Sequence, residues 1–380
     1  MALLHLLHRA AVAQGVRIEA ITIDHGLRQA ARAEAEMVAA FCVSRGIPHQ
    51  ISLWQRGDVS GNLMDEARQA RYQIAEAWAG LRGLFHIAVG HTADDQAETF
   101  LMGLSRRAGI DGLSGMRRQW QRGAVTFVRP LLAIPRADLR DYLRHHAVKW
   151  ADDPTNEDSH YSRIKARNAL AALAPLGITA QTLAAVSDNL ETARLAVVRQ
   201  VQTAARGITQ SEVGLLSIPR AAFLDHPQEV QRRLLIMALR WFSGAVYPPR
   251  ESGLIAVQTA IAAGKDATLG GVRFEARAGT IEILREARAV QGLACPTTQL
   301  WDKRWRLTGP HGENLSIRAL GAEGLRLCSD WRSLGEPRDV LLVTPAIWQG
   351  QTLIAAPLAG FPNDWSANCS PSFASFVLSH

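Results

Sequence analysis

The sequence has few cysteines, and the four that it has lie far apart. Cys42, Cys295, Cys328 and Cys369 form no C-x-x-C pair and no spacing typical of a zinc site. A chain of 380 residues can bury a sizeable core without covalent cross-links. These observations exclude a disulfide framework and a cysteine-based metal site, and they predict reduced thiols in a reducing compartment.

Long hydrophobic runs are also missing. No apolar stretch reaches the roughly 18 residues that a membrane span requires. The leucine-rich stretch 1–14 carries His5, His8 and Arg9, and it has neither a basic n-region nor a small-residue cleavage site. The sequence therefore predicts a soluble, cytoplasmic protein with no membrane partner.

Acidic residues are outnumbered by basic ones. The chain has 42 Lys and Arg against 35 Asp and Glu, which gives a formal net charge of +7. The content of 47% hydrophobic and 20% charged residues is that of a globular protein and excludes a disordered or fibrous chain. The basic excess fits a polyanionic partner such as nucleic acid, and it fits a solvated basic surface equally well.

The hydrophobic pattern divides the chain into three parts. Over residues 1–175, short β-branched runs alternate with helical periods, which predicts a parallel sheet with helices on both faces. Residues 176–268 have an alanine- and leucine-rich helical pattern with almost no strand signal. Residues 269–380 contain short predicted strands separated by Gly and Pro, including 340–344 and a hairpin around 348–351. We predict an α/β domain, a helical domain and a small β-rich domain.

Asp24, His25 and Gly26 follow the first predicted strand. Parallel α/β sheets bind ligands beyond the carboxyl ends of their strands, so two titratable side chains and a glycine at this point indicate a nucleotide site. The alternative is a tight turn in which Asp24 bonds to local backbone and Gly26 supplies a positive φ. These residues alone leave both interpretations open.

The segment G-H-T-A-D-D-Q-A-E-T follows an apolar run and opens a predicted helix. Thr92 and Asp95 have the spacing of a capping box, so helix initiation accounts for them. It does not account for His91, Asp94 and Glu98. Asp94 and Glu98 share one helix face, where acids repel each other unless they face water or bind a cation. Oxygen ligands of this kind suit a divalent ion that carries nucleotide phosphates.

Three further segments are informative only in combination. A predicted helix begins with two arginines three residues apart, which suits phosphate binding or pairing with nearby acids. The glycine-spaced turn 109–116 indicates no ligand by itself. The turn 152–156, D-D-P-T-N, precedes a basic run that suits phosphate contacts or an ordinary helix surface. The basic side chains of these segments are Arg68, Arg71, Arg163, Lys165 and Arg167.

Taken together and in this order, the motifs resemble those of the tRNA(Ile)-lysidine synthase family, which belongs to the N-type ATP pyrophosphatases with a PP-loop. The series is I-D-H-G-L-R, N-L-x-x-x-A-R-x-A-R-Y, G-H-T-A-D-D-Q-A-E-T, G-I-D-G-L-S-G-M, R-P-L-L and D-D-P-T-N-x-D. It covers residues 1–174, and the helical and C-terminal parts match by layout. The resemblance implies that the first domain is a PP-loop domain of the adenine nucleotide alpha hydrolase type.

The resemblance also implies a reaction. Family members use ATP and free L-lysine to convert the wobble cytidine in the CAU anticodon of tRNA(Ile) into lysidine. ATP adenylates the C2 carbonyl oxygen of the cytosine and pyrophosphate leaves. The lysine ε-amine then attacks C2 and AMP is released. The implied small molecules are ATP and Mg²⁺, and a homodimer is compatible with the resemblance.

Roles for individual residues follow from the same resemblance. The expected catalytic residues are His91, Asp94, Asp95 and Glu98. The expected ATP-binding residues are Asp24, His25, Gly26 and Arg129. The expected tRNA-binding residues are Arg68, Arg71, Arg163, Lys165 and Arg167. Asp94 is the expected Mg²⁺ ligand, and a carboxylate of this group is expected to hold the incoming lysine and help to deprotonate it.

The family's pyrophosphate-binding segment, S-G-G-x-D-S, does not occur in this sequence. Its place is at the end of a first strand, and residues 1–4 match the residues that normally follow it. We therefore expect a mis-called start codon or an amino-terminally truncated product, which upstream codons for the segment would establish. The chain as given is expected to bind tRNA without adenylating it, because the backbone amides that cradle the phosphates are missing.

Two alternative functions remain open. A tRNA thiolase of the same superfamily forms the same adenylate, but sulfur transfer needs a low-pKa cysteine or a metal–sulfur centre. The α/β part has only Cys42, which lies within a helix pattern. The second alternative is a catalytically dead tRNA-binding remnant, in which the segment is truly missing and the ATP site is lost.

Overall fold

The structure is a computed structural model with two compact units, Met1–Arg194 and Leu195–His380. The predicted three-part division at 175 and 268 stays a prediction. No single described helix is long and apolar enough to span a membrane, and one bent pair of helices meets that requirement by length and composition alone. The residues that the structure describes are 1–24, 29–54, 63–151, 162–245 and 247–379.

The first unit alternates helices and strands, as the sequence predicts. The first unit ends at Arg194, within its last helix. Its elements are α1 (Ala2–Gln14), β1 (Ala20–Asp24), α2 (Gln29–Ser44), β2 (His49–Leu53), α3 (Leu63–Leu81), β3 (His86–Ala88), α4 (Ala93–Ser105), α5 (Ile110–Leu113), β4 (Gln119–Arg122), β5 (Val125–Val128), α6 (Arg136–His145), α7 (Ser162–Leu173), a 3-10 turn (Ala174–Leu176) and α8 (Ala180–Ala205).

The strands of the first unit pair mainly in parallel. β1 pairs with β2, and β3 pairs with β5, which confirms the predicted parallel arrangement. Among the described residues these pairs form two sheets, β1-β2 and β3-β5-β4. The sequence does not predict β4, which joins β5 in an antiparallel hairpin through a turn that contains Gly123 at φ +55°. Because β3 and β5 end side by side, the residues that follow Ala88 and Val128 emerge at one edge of the sheet.

Apolar packing fixes α3 against the sheet of the first unit. Ala75, Trp78 and Ala79 are buried at helical spacing and face the sheet. They form one cluster with Ile87 of β3 and Phe127 of β5. The carboxyl-terminal half of α3 is therefore packed on this sheet.

The second unit contains antiparallel sheets and helices. A five-stranded sheet of order β6-β7-β10-β9-β8 packs against α10 and α11 through side chains such as Phe274 and Leu234. A four-stranded sheet, β11-β13-β14-β15, and a two-stranded sheet, β12-β16, complete the unit. The elements are β6 (Thr209–Gln210), β7 (Leu216–Pro219), α9 (Arg220–Asp225), α10 (Gln228–Ser243), α11 (Glu251–Ala262), β8 (Ala267–Leu269), β9 (Val272–Arg277), β10 (Thr280–Arg285), α12 (Ala287–Val290), β11 (Cys295–Pro296), β12 (Trp305–Thr308), β13 (Ser316–Ala319), α13 (Gly321–Leu327), a 3-10 turn (Trp331–Leu334), α14 (Arg338–Leu341), β14 (Pro345–Gln349), β15 (Thr352–Ala355), a 3-10 turn (Pro357–Ala359), β16 (Ser366–Cys369) and α15 (Phe373–Leu378).

Two strand predictions for this unit are wrong, and one is confirmed. Residues 176–268 contain β6 and β7, which are too short to show a period. Pairing to β10 holds β7, and pairing to β7 holds β6. Residues 340–344, predicted as a strand, contain the end of α14, which starts after Pro337 because the proline ring presets φ for a helix entry. The predicted hairpin around 348–351 is present as β14 and β15, with Gly350 at φ +57° in the turn.

A buried ion pair lies inside the second unit. Arg285 donates through Nε and Nη2 to Asp302 at 3.1 and 3.0 Å. Arg304 Nε lies 3.5 Å from Asp302 Oδ2, and its guanidinium lies 4.9 Å from the Trp241 ring and 4.6 Å from the Phe242 ring. The Asp302 carboxylate is therefore the counter-ion of two buried guanidinium groups, and the sequence does not predict this arrangement.

Candidate functional site

The start of α4 brings the G-H-T-A-D-D-Q-A-E-T side chains to the edge of the sheet. Thr92 is the N-cap residue, and its backbone N–H donates to Asp95 Oδ2 at 2.9 Å. The capping box that the sequence predicts is therefore confirmed. Asp95 Oδ1 lies 3.5 Å from the guanidinium of Arg136. Oδ2 of Asp95 thus accepts a hydrogen bond and Oδ1 faces a guanidinium group, and the predicted catalytic role of Asp95 stays a prediction.

Asp94 joins the start of α4 to the start of α6. Its Oδ2 accepts the backbone N–H of Arg136 at 2.7 Å. Arg136 is the first residue of α6, so this amide has no partner within its own helix. A carboxylate between two helix amino termini is also stabilised by both helix dipoles. The sequence does not predict this bridge.

The three carboxylates do not fit a preformed Mg²⁺ site. In the described part of the chain, no group of three or more His, Cys, Asp or Glu side chains could hold a metal ion. Asp94 accepts a backbone amide, Asp95 caps α4, and Glu98 pairs with an arginine. The assignment of Asp94 as an Mg²⁺ ligand stays a prediction, and we derive no step through a resident metal.

Glu98 carries a buried carboxylate with one unused oxygen. Its side chain is 1% exposed, and Oε1 accepts from Arg167 Nε at 2.5 Å. The helices that carry the pair, α4 and α7, pack through Ala97 and Leu170. Oε2 has no hydrogen-bond donor among the described residues. A buried carboxylate oxygen without a donor is costly, so this position is suited to receive a donor from a ligand.

Arg129 lies beside His91, at the carboxyl end of β5. Its Nε donates to His91 Nδ1 at 3.1 Å, and its Nη1 donates to the Arg117 carbonyl at 2.7 Å. The guanidinium stacks on Trp120, 3.9 Å from the ring centroid. Burial lowers the pKa of Arg129, and the interaction with Tyr72 acts in the opposite direction. The structure thus brings a predicted ATP ligand and a predicted catalytic residue into contact.

The surroundings of His91 keep its ring neutral. Burial is the main cause that lowers the pKa of His91 to about 4, and the charges of Arg129, Arg68 and Arg163 lower it further. Asp95 acts in the opposite direction. Because the folded pKa lies below the unfolded value of about 6.5, the contribution of His91 to stability is complete above pH 6.5. It is lost as the pH falls from there towards pH 4.

Three of the predicted tRNA-binding arginines lie together. Arg68 and Arg71 are on α3, and Arg163 is on α7. Desolvation lowers the pKa of Arg71, and the charges of Arg68 and Arg163 lower it further. Arginines that repel one another attract an anion. Lys165 is exposed on α7, and Arg167 donates to Glu98. The tRNA contacts of all five basic residues stay predictions.

Asp24 ends β1 and is buried. Its carbonyl accepts the backbone N–H of Trp54 at 2.8 Å, which ties the end of β1 to the residue after β2. His25 and Gly26 lie outside the described residues, and so does the D-D-P-T-N turn 152–156. The nucleotide role of Asp24, His25 and Gly26 therefore stays a prediction.

The turn 109–116 is fastened to α4 through Gln96. The Gln96 Oε1 accepts the Met116 backbone N–H at 2.6 Å, and its Nε2 lies 3.4 Å from the Met116 carbonyl oxygen. Gly115 has φ +68°, and a Cβ at this residue would lie 2.5 Å from Gln96 Oε1. The glycine is therefore required both for its backbone conformation and for the close approach of the side chain.

Gly115→Ala is expected to lower the free energy of unfolding by about 1–3 kcal/mol, because a left-handed alanine is strained and the methyl group displaces Gln96. Gly109→Ala is the matched control, since Gly109 has no positive φ and a Cβ there meets nothing within 4 Å. Urea denaturation measures both variants. Equal stability of the two would show that the link between Gln96 and the turn contributes nothing.

Sequence reasoning missed several residues that shape the site. Trp120 and Arg117 support Arg129, and Arg136 contacts both Asp94 and Asp95. Trp120 shows no periodic signal and lies in the unpredicted strand β4. Arg136 follows Pro135, whose position predicts a helix start but not a neighbouring carboxylate.

Comparison with known proteins gives a consistent result. Residues 1–174 match the PP-loop domain family. The whole chain is 43% identical to the tRNA(Ile)-lysidine synthase of Ruegeria pomeroyi and covers 91% of it. The tRNA(Ile)-lysidine synthase of Wolbachia pipientis is 30% identical, over 76% of this chain and 69% of that protein. That of Bradyrhizobium diazoefficiens is 36% identical, over 67% of this chain and 73% of that protein.

A solved structure, the U34-tRNA thiolase NcsA from Methanococcus maripaludis with its [4Fe-4S] cluster, is similar at a TM-score of 0.43 and 16% identity. The similar region covers 50% of this chain and 68% of the thiolase chain. A similarity at this level carries no functional argument. The match over the full length and the motif series agree, and the chain belongs to the tRNA(Ile)-lysidine synthase family.

Proposed function

We propose that the protein is a carbon–nitrogen ligase that joins lysine to C2 of the wobble cytidine in the CAU anticodon of tRNA(Ile). The reaction uses ATP and passes through an adenylated tRNA intermediate. The observation that carries the proposal is the 43% identity over the whole chain to a protein of that name. The PP-loop domain supports the use of ATP.

Glu98 is the proposed contact for the incoming lysine. Its Oε2 is buried and lacks a donor among the described residues, so an ammonium group would satisfy it. Arg167 offsets part of the carboxylate charge from the other side and fixes the orientation of the side chain. A carboxylate held in this way can accept the proton that the amine loses before attack on C2.

The arginines near His91 are the proposed phosphate ligands. Arg68, Arg71 and Arg163 form a cationic group at the edge of the sheet, which suits the phosphates of ATP or the backbone of tRNA. Arg129 supplies a further buried cation next to them. Mg²⁺ carried by the phosphates of ATP belongs to the substrate in this scheme. Basic groups then offset the charge that develops on the departing pyrophosphate.

The thiolase alternative is disfavoured by the state of the cysteines. Cys42 is the one cysteine in residues 1–194, and it is fully buried. Burial also raises the pKa of the Cys42 thiol, so little of the reactive thiolate forms at neutral pH. The remnant alternative predicts tRNA binding without chemistry, and activity measurements separate it from the ligase. A homodimer and a cytoplasmic location stay predictions.

The test is incubation of the purified protein, produced with the S-G-G-x-D-S segment restored ahead of residue 1, with radiolabelled lysine, ATP and a tRNA(Ile) transcript with the CAU anticodon. We expect labelled tRNA together with AMP and pyrophosphate, and pyrophosphate release only when ATP and tRNA are both present. A transcript that differs only in a wobble uridine is the matched control and should stay unlabelled. Sulfur incorporation, or binding of tRNA with no pyrophosphate release, would contradict the proposal.

A further inference from the structure

We propose that His91 acts as a fixed, neutral hydrogen-bond donor through Nε2 rather than as a base, and that Arg129 and Trp120 are the positioning residues that hold it in this state. The inference rests on the proposed function and specifies what one of its predicted catalytic residues does. The proposed acceptor of the hydrogen bond from His91 Nε2 is an oxygen that carries negative charge, as in a phosphoryl group.

The hydrogen bond from Arg129 determines the tautomer of His91. A guanidinium has donors only and stays protonated in proteins. Its Nε–H points at His91 Nδ1 at 3.1 Å, so Nδ1 carries a lone pair. A neutral imidazole has one ring proton, which therefore lies on Nε2. His91 thus offers a donor at Nε2 and no lone pair with which to accept a proton there.

Packing holds the guanidinium of Arg129 in place. One arm donates to the Arg117 carbonyl, and the flat face rests on Trp120. Trp120 is itself stacked on Phe127, its cross-strand partner in the β4–β5 hairpin, with ring centroids 5.0 Å apart. The ring of Tyr72 meets both aromatic rings edge-on. A rigid aromatic stack therefore determines where Arg129 points and, through Arg129, which nitrogen of His91 is protonated.

The charged groups around His91 support the same state. Arg129, Arg68 and Arg163 are cationic, and Asp95 is the opposing acid. Burial and the charges of the three arginines keep the pKa of His91 at about 4 against the opposite effect of Asp95, so the ring stays neutral at pH 7. A general base works best when its pKa lies near the operating pH. A preorganised neutral donor in a partly dry site is instead suited to stabilise charge on an oxygen.

Two substitutions at His91 separate a donor from a base. The amide of His91→Gln can place an N–H near the position of Nε2–H but cannot accept a proton at neutral pH. We expect His91→Gln to retain more lysine transfer than His91→Ala, which should lose on the order of 10²–10³-fold, as for removal of an oxyanion donor. Equal losses in the two variants would overturn the donor role.

A second measurement does not depend on activity. In the full chain labelled with ¹⁵N-histidine, long-range ¹H–¹⁵N spectra report the tautomer, and the His91→Gln spectrum assigns the signal. We expect the Nε2–H tautomer at pH 7 and a titration midpoint at about 4. The Nδ1–H tautomer, or a midpoint near 6.5, would overturn the proposal. An inactive protein with the expected tautomer would contradict the proposed ligase while leaving the assignment of the proton intact.

The role of Trp120 is tested in the same spectra. In Trp120→Leu the guanidinium of Arg129 loses its platform, so we expect mixed His91 tautomers and a higher titration midpoint. Trp150→Leu is the matched control, because Trp150 lies 5.9 Å from a different guanidinium, that of Arg144. This variant should leave the His91 signal unchanged. A wild-type His91 signal in Trp120→Leu would show that Trp120 does not position it.

Discussion

Glu98→Gln is expected to lower the rate of lysine transfer by on the order of 10²–10⁴-fold, the range for loss of a positioned acid or base. The glutamine side chain carries no negative charge, and its amide N–H₂ can occupy the position of Oε2, which has no hydrogen-bond donor among the described residues. The remaining amide oxygen can still accept from Arg167, so α4 and α7 should stay packed. Single-turnover incorporation of radiolabelled lysine measures the effect.

Controls for this variant separate catalysis from folding. Binding of tRNA, measured on filters, should equal that of the wild type, because Glu98 is buried and does not face the tRNA backbone in the proposed scheme. Glu36→Gln removes a carboxylate from an exposed pair with Arg32 on α2 and should leave lysine transfer unchanged. If Glu98→Gln transfers lysine at the wild-type rate, Glu98 only anchors α7.

The second large effect is on stability. Asp302→Asn is expected to lower the free energy of unfolding of the second unit by about 3–5 kcal/mol, since removal of one partner from a buried ion pair leaves its charge uncompensated. Arg285 and Arg304 would both lose their counter-ion. Asn is the suitable replacement because Asp302 has φ +45°, a conformation that Asn tolerates.

Urea denaturation followed by tryptophan fluorescence measures this change, since Trp241 and Trp305 lie next to Arg304. The matched control is Asp339→Asn, which removes the charge from a half-exposed pair with Arg273. Exposed pairs contribute about 0–1 kcal/mol, so the control should change little. Equal losses in the two variants would show that burial of the pair does not determine its contribution.

The sequence by itself determined the local structure of the first unit and the family. Its helices and strands alternate as predicted, and α4 begins after Thr92 because the capping box is a signal within four residues. The parallel pairing of β3 with β5 also follows from the strand–helix alternation. These features depend on neighbours in the chain, on residue periodicity and on motif order, all of which can be read without coordinates.

Only the tertiary structure decided what each side chain of the site contacts. Asp94, Glu98 and His91 come from one short segment, yet their partners Arg136, Arg167 and Arg129 lie 42, 69 and 38 residues away. Asp94, which the sequence indicates as a metal ligand, thus caps α6. Glu98, four residues further on, pairs with Arg167. The reason is that side-chain partners are set by the packing of distant elements, for which the sequence carries no local signal.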